Sequence, residues 1–368
     1  MPFCQVIVDI NHTDVDHVFT YRVPAGLDVC PGMRVHVPFG PRKLEGVVVE
    51  MAADCDLPPE RVKDICDTLE DYPAVLPPLL ELAKEIQRTS FCTLAVALRL
   101  MFPAQMRGQR IREKQQEVAV LTVAPDVLGQ VIAAQVRAPK RAKVLRALAD
   151  APDMELTTAA LRETVGDCRD APNALCKMGF VKLEKRESLR RPYGEMERLS
   201  AQDPELTRQQ EDVLAELLPA VETGKGEFLL YGVTGSGKTE VFIRAVRRAA
   251  QMGKTAIVLV PEIALTPQMV SWFRSRFGED AAVLHSRLSP GERYDEWRRI
   301  RRGDVRVVIG ARSAIFAPLQ NVGLIIIDEE HEQSYIADNN PHYDARRLAH
   351  ERCAREGAAL LLASATPS

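Results

Sequence analysis

Hydrophobic and polar positions follow three different rhythms along the chain. Over residues 2–103, short apolar runs (5–10, 18–23, 34–37 and 46–50) are separated by Pro24 and Gly26, Pro31 and Gly32, and Pro38, Gly40 and Pro41. Apolar runs of that length between proline and glycine clusters predict strands joined by tight turns. Helical spacing follows at 76–87 and 93–101, so residues 1–105 read as a small β-barrel-like domain. Residues 106–117 are polar and basic (Arg107, Arg110, Arg112, Lys114) and read as a linker. From 118 to about 200 the pattern turns helical: Val144, Leu145 and Leu148 share a face, and Thr157 and Asp170 are candidate N-caps. A strand at 179–184 with basic flanks (Lys182, Lys185, Arg186, Arg190, Arg191) completes a pattern that fits a winged helix and, equally, another small helical bundle.

From residue 201 the rhythm changes again. Apolar runs at 228–231, 256–260, 281–284, 305–309, 323–327 and 359–362 alternate with helical stretches. Continuous apolar strands separated by helices predict a doubly wound parallel sheet, whose ligands sit at the carboxyl ends of the strands. The expected architecture is therefore multidomain, with an α/β domain over 201–368.

Composition adds less. With 46% hydrophobic residues among 368, sizeable cores are within reach. The net charge of −3 supplies no general attraction to nucleic acid, so a DNA surface must come from local clustering. The N-terminus lacks the basic-then-apolar pattern of a signal peptide, and no apolar run is long enough to cross a bilayer. The eight cysteines are scattered without a C-x-x-C pair, which argues against zinc in this chain and suits reduced thiols in a cytoplasmic protein.

The chemistry concentrates at the strand ends. Residues 232–239, GVTGSGKT, have the spacing of a phosphate loop. Gly232, Gly235 and Gly237 let backbone N–H groups wrap a phosphate, Lys238 reaches the β- and γ-phosphates, and Thr239 offers its hydroxyl to Mg²⁺. The apolar run 323–327 ends in Asp328 and Glu329, suited to a Mg²⁺ ligand and to a base that orients and deprotonates water. A dense basic run, Arg293, Arg298, Arg299, Arg301 and Arg302, reads as a solvated helix face in preference to a phosphate contact. A nucleotide kinase would need an acceptor site and lid, and a transporter ATPase a Ser-Gly-Gly signature; neither pattern is visible.

With His331 the acidic box resembles that of superfamily 2 helicases. The longer strings 232–240 (GVTGSGKTE), 260–268 (VPEIALTPQ), 328–335 (DEEHEQSY) and 364–368 (SATPS), with 285–297, resemble the primosomal protein N′ family of replication-restart helicases over residues 3–368. The resemblance implies a RecA-like first helicase lobe over 201–368 using ATP and Mg²⁺, with Gln210 reading adenine and His331 linking the nucleotide site to Ser364 and Thr366. It places Thr266, Arg312, Tyr335 and Tyr343 against single-stranded DNA, and Phe19, Thr20, Gly40 and Lys63 in a pocket for the 3′ end of a nascent strand. Read on its own, Phe19 is at least as readily a core residue, and a surface ion pair is the lesser alternative for Arg312.

The same resemblance implies forked DNA, primosome proteins and single-strand-binding protein as partners of a monomeric, nucleoid-associated bacterial helicase. Three departures stand out: Thr20 where aspartate is common, Ala311 where threonine is common, and residues 336–338 in place of a lysine-containing stretch. The family's second lobe and zinc-binding region are expected beyond Ser368, so the chain is expected to bind forked DNA and, weakly, nucleotide without unwinding. The rival reading is a structure-specific DNA-binding module with a non-hydrolysing nucleotide fold.

Overall fold

The strands of the first hundred residues alternate inward and outward side chains, which lets a short antiparallel sheet bury one face. In the computed structural model, which describes residues 2–10, 16–55, 57–111, 113–190, 204–233 and 235–367, this sheet comprises β1 (Phe3–Val8), β2 (Phe19–Arg22), β3 (Arg34–Phe39), β4 (Arg42–Ala52) and β5 (Asp67–Thr68) in the order β2-β1-β4-β3-β5. The Arg22 amide donates to the Lys63 carbonyl at 2.9 Å, and the Ile65 amide to the Arg22 carbonyl at 3.0 Å. Residues 63–68 thus run from the free edge of β2 to β3 and curl the sheet toward closure. Helices α1 (Pro77–Ser90) and α2 (Leu94–Leu98) follow.

Two compact units emerge: Met1–Ile111 with Arg191–Ser368, and Arg112–Arg190. The second holds β6 (Gln115–Leu121), α3 (Pro125–Ala133), α4 (Pro139–Asp150), β7 (Glu155–Thr157), α5 (Thr158–Val165), α6 (Asp170–Lys177) and β8 (Val181–Glu187). Its sheet order is β7-β6-β8, around a core of Val144, Leu145, Leu148, Leu161 and Leu175. Thr157 caps α5, accepting from the Ala160 amide at 3.0 Å. Two expectations need correcting. Asp170 is the first helical residue of α6 rather than its cap, because Arg169 before it already has helical backbone angles. Residues 115–121 are neither linker nor helix but the central strand, since β7 and β8 supply hydrogen bonds on both edges. Expectations resting on Arg112, Arg191 and Ser368 lie outside the described residues.

The last part has α7 (Arg208–Thr223), β9 (Glu227–Tyr231), α8 (Lys238–Gln251), β10 (Thr255–Leu259), α9 (Pro267–Phe277), β11 (Ala281–Leu284), α10 (Pro290–Arg302), β12 (Val307–Gly310), β13 (Val322–Ile327), α11 (Ala345–Glu356) and β14 (Ala359–Ser364). All strand pairs are parallel and the order is β11-β12-β10-β13-β14-β9. β10, β12 and β13 are buried at every position, as expected of strands covered on both faces.

This sheet does not have a core to itself. Leu79, Leu82 and Ile86 of α1 belong to one buried cluster with Trp297 and Ile300 of α10, Tyr335, and Leu348 of α11. Polar contacts cross the same seam: Trp297 Nε1 donates to the Met101 carbonyl at 3.4 Å, Arg301 Nε to the Pro73 carbonyl at 2.8 Å, and Arg347 pairs with Glu85 at 2.8 Å. The arginine run of α10 is therefore a solvated face only at Arg302, which is exposed, while Arg293 and Arg301 are half-buried. Arg298 and Arg299 are 2% and 5% exposed, Arg298 lying over the Tyr294 ring and Arg299 pairing with Glu296 at 2.7 Å. Arg301 reaches the N-terminal segment, at the Pro73 carbonyl and over the Tyr72 ring at 5.4 Å, which no pattern within α10 reveals, while Arg299 is held by Glu296 and by the Glu279 carbonyl at 2.6 Å.

Candidate nucleotide site and DNA-facing cleft

Three neighbouring strands, β13, β14 and β9, end on the same side of the sheet and carry the candidate site. Gly237 ends the phosphate loop with φ +82° and a Cβ there would lie 2.4 Å from Gln210 Nε2, so glycine suits both the backbone and the space. Lys238 opens α8, with its Nζ donating to the Gly232 carbonyl at 2.8 Å and lying 3.3 Å from Glu329 Oε1. Thr239 is partly buried on the next position. The Gly232 amide donates to the Ser364 carbonyl at 3.1 Å, which ties the loop to β14. Gln210 is committed at both ends of its amide: Oε1 accepts from the Thr207 backbone at 2.9 Å, and Nε2 donates to the Ser236 and Gly237 carbonyls at 3.3 Å. It shapes the phosphate loop in this conformation.

Asp328 follows β13, its amide donating to the Leu259 carbonyl at 2.9 Å and its carboxylate accepting from the Glu329 amide at 3.0 Å. Burial first, and the neighbouring Glu329 charge second, push its carboxyl up to about 6, against the opposing pull of Lys238. Glu329 sits in the left-handed region at φ +45°, an uncommon backbone for a non-glycine residue, which turns its side chain back toward Lys238. His331 Nδ1 lies 2.7 Å from Ser364 Oγ and 3.8 Å from Glu329 Oε2, while the Thr366 amide donates to Ser364 Oγ at 3.0 Å. The structure thus brings Lys238, Asp328, Glu329, His331, Ser364 and Thr366 together. The half-buried acid pair beside one ammonium is a donor set that fits a divalent cation, and the glycine loop at the positive end of α8 fits phosphates.

The expected DNA-facing residues are dispersed. Thr266 is exposed and caps α9, accepting from the Met269 amide at 3.3 Å. Arg312 donates to the Ser334 carbonyl at 3.2 Å and to the Ile336 carbonyl, and lies over the Tyr343 ring at 5.8 Å. Tyr343 is partly buried, edge-on to Phe316 at 5.1 Å. Tyr335 corrects the expectation of a base-stacking ring: it is fully buried, and its hydroxyl donates to the Asp328 carbonyl at 2.5 Å. Its apolar ring fills the shared core, so no face is open to a base. An open cavity of about 520 Å³ is lined by Arg312 and Tyr343 together with Arg99, Glu262, His285 and Arg293. Burial, then Arg287 and Arg293, hold the His285 imidazole below its usual range. Sequence reading assigned no role to Arg99, Glu262, His285 or Arg293; the string 285–297 marked two of them as part of a distinctive stretch.

In the N-terminal sheet, Phe19 packs edge-on against Phe39 at 5.2 Å and tilted against His17 at 4.3 Å. Thr20 pairs with Gln5 across β1 and β2, Gly40 is exposed directly after β3, and exposed Lys63 lies on the seam beside Arg22.

A parallel sheet carrying a phosphate loop and an acidic box at neighbouring strand ends is consistent with a RecA-like helicase lobe, and residues 207–368 match the DEAD/DEAH box helicase family model. Residues 5–103 match the 3′DNA-binding domain of PriA. The replication restart protein PriA of Bacillus subtilis (strain 168) is 32% identical over the whole of this chain, which covers 54% of that relative. Its counterpart from Synechocystis is 34% identical over the whole chain, covering 52% of it, and that of Treponema pallidum is 55% identical over 40% of this chain and 22% of its own length. The chain is similar to PriA proteins along its whole length and spans about half the length of the curated relatives it matches. Among solved structures, RecG bound to a three-way DNA junction is 28% identical, covering 44% of this chain and 21% of its own, with a TM-score of 0.35. Among the described residues, no helix is long and apolar enough to cross a membrane.

Proposed function

We propose that the chain forms the DNA-end-binding and nucleotide-binding part of an ATP-dependent 3′-to-5′ DNA helicase that recognises stalled or abandoned replication forks and starts primosome assembly. The observation that carries this reading is the 3.3 Å approach of Lys238 Nζ to Glu329 Oε1 across two strand ends. Bound Mg²⁺-ATP would supply the phosphoryl group and its counter-ion there. The amides around Gly235 and Gly237, with the positive end of α8, hold the phosphates. With the nucleotide bound, Lys238 would turn from Glu329 to phosphate oxygens, leaving Glu329 to orient and deprotonate a water. Thr239 and Asp328 would hold the metal, and His331 with Ser364 and Thr366 would carry the state of the site to the end of β14.

Thr266, Arg312 and Tyr343 with the cleft are assigned to single-stranded DNA, and Phe19, Thr20, Gly40 and Lys63 to a 3′ end. Forked DNA, primosome proteins and single-strand-binding protein are the partners in this reading, for a monomer in the bacterial cytoplasm.

The test is a titration with a labelled non-hydrolysable ATP analogue and Mg²⁺, comparing the parent with Lys238→Ala. Loss of charge-assisted bonds to phosphate predicts roughly 10- to 100-fold weaker binding. Equal affinity would overturn the reading.

A further inference from the structure

Residues 137–146 contain five cations, Arg137, Lys140, Arg141, Lys143 and Arg146, and no acid, in a chain whose net charge is −3. α4 turns Val144, Leu145 and Leu148 into its core and leaves Lys140, Lys143 and Arg146 exposed, with Arg137 exposed just before it. Successive members of that trio rise about 4.5 Å along the helix, forming a continuous charged face. Among the described residues none of the five has an ion-pair partner. Neighbouring cations of the same unit behave differently: Lys182 pairs with Glu184 at 2.9 Å and Arg186 with Glu155 at 2.6 Å. In α10, Arg298 and Arg299 are buried and Arg293 and Arg301 donate to backbone carbonyls, so most of the more conspicuous basic run is structural, whereas this one is exposed.

The placement also works against the helix itself. The first turn of α4 has Lys140 and Arg141 and no acid, where the positive end of the helix dipole favours anions. Like charges three residues apart cost a few tenths of a kcal/mol more. An arrangement that opposes its own helix is relieved by an anionic partner. The start of α4 opens on a hollow of about 790 Å³ whose far rim carries Asp170 and the Arg169–Asp167 pair at 3.3 Å, so the unpaired positive charge around it belongs to Lys140 and Arg141 of α4. Residues 137–146 contain no aromatic side chain. That lacks the stacking platform used for single strands and leaves charge as the means of recognition.

We propose that the exposed face of α4 is a docking surface for the sugar-phosphate backbone of duplex DNA, independent of sequence. It is separate from the nucleotide site and from the 3′-end residues of the proposed function.

The experiment measures binding of the 368-residue chain to a blunt duplex of about 20 base pairs, phosphorylated at both 3′ ends, between roughly 50 and 200 mM salt. K140E/K143E/R146E is expected to weaken binding and to flatten the slope of log K against log salt by about 2 to 3, one phosphate contact per cation removed. The alanine version of the same triple variant gives the same flattening should charge reversal disturb folding, and K140R/K143R keeps the parent slope. Nucleotide-analogue affinity stays at the parent value in all of them, which separates failure of this surface from failure of the nucleotide site. An unchanged slope in the triple variants would overturn the proposal. So would a polyglutamate peptide that binds as tightly as the duplex and loses affinity in the same variants, because the partner would then be an acidic protein.

Discussion

Replacing Asp328 with asparagine removes a buried charge while keeping an oxygen that can accept from the Glu329 amide, now 3.0 Å away. The carboxyl is raised from 3.8 to about 6, chiefly by burial. An acid raised in this way binds its proton more tightly folded than unfolded, so ionising it costs stability. The cost is absent below the unfolded value near pH 4, grows as pH rises through 6, and is constant above. A shift of that size corresponds to about 3 kcal/mol at pH 7.5 and roughly half of that at pH 5. Asparagine escapes the cost, so the nucleotide-free Asp328→Asn chain should be the more stable one at pH 7.5, with an advantage that shrinks on acidification. Denaturant unfolding followed by tryptophan fluorescence is well placed to read this, since both tryptophans, Trp272 and Trp297, lie in the same unit as Asp328. Mg²⁺-dependent nucleotide binding should fall in the same variant. A variant no more stable than the parent at pH 7.5, or a gain equally large at pH 4, would refute the argument that this carboxylate is kept charged at the fold's expense.

Tyr335→Phe should lower stability by about 1 to 2 kcal/mol, the cost of leaving a buried carbonyl without its donor. Its affinity for single-stranded DNA should stay within about twofold of the parent, because the ring is fully buried; a large loss in DNA binding alone would mean the ring leaves the core to reach a base. Trp297→Ala should destabilise the unit by about 3 to 5 kcal/mol and speed proteolysis between residues 99 and 106, as the side chain is 4% exposed and donates to Met101. A loss below about 1 kcal/mol would show that the seam contributes little.

The parallel sheet was legible because strands buried on both faces become continuous apolar runs, as in residues 322–327. The nucleotide site was legible because the phosphate loop's spacing is local, and the acidic box marks a strand end. What escaped depended on distant partners. β6 is defined by β8, whose register pairs Gln115 with Glu187. The partners of Arg301, the Pro73 carbonyl and the Tyr72 ring, lie more than two hundred residues earlier in the chain. An aromatic after an acidic turn resembles a stacking residue until its ring is found inside the core. The cleft gathers Arg99, Glu262, His285 and Arg293 from separate segments, and nothing in their local spacing announces that they meet.

The interlocked faces of α1, α10 and α11 make the N-terminal antiparallel sheet and the parallel sheet inseparable as parts. A replacement N-terminal sheet brought in from another chain would arrive with its own α1 and leave Trp297, Tyr335 and Leu348 in water, so the two must be inherited as a matched set. Chain between 112 and 190 leaves that body and returns to it, which makes it the place where length and surface can vary without the motor having to be rebuilt.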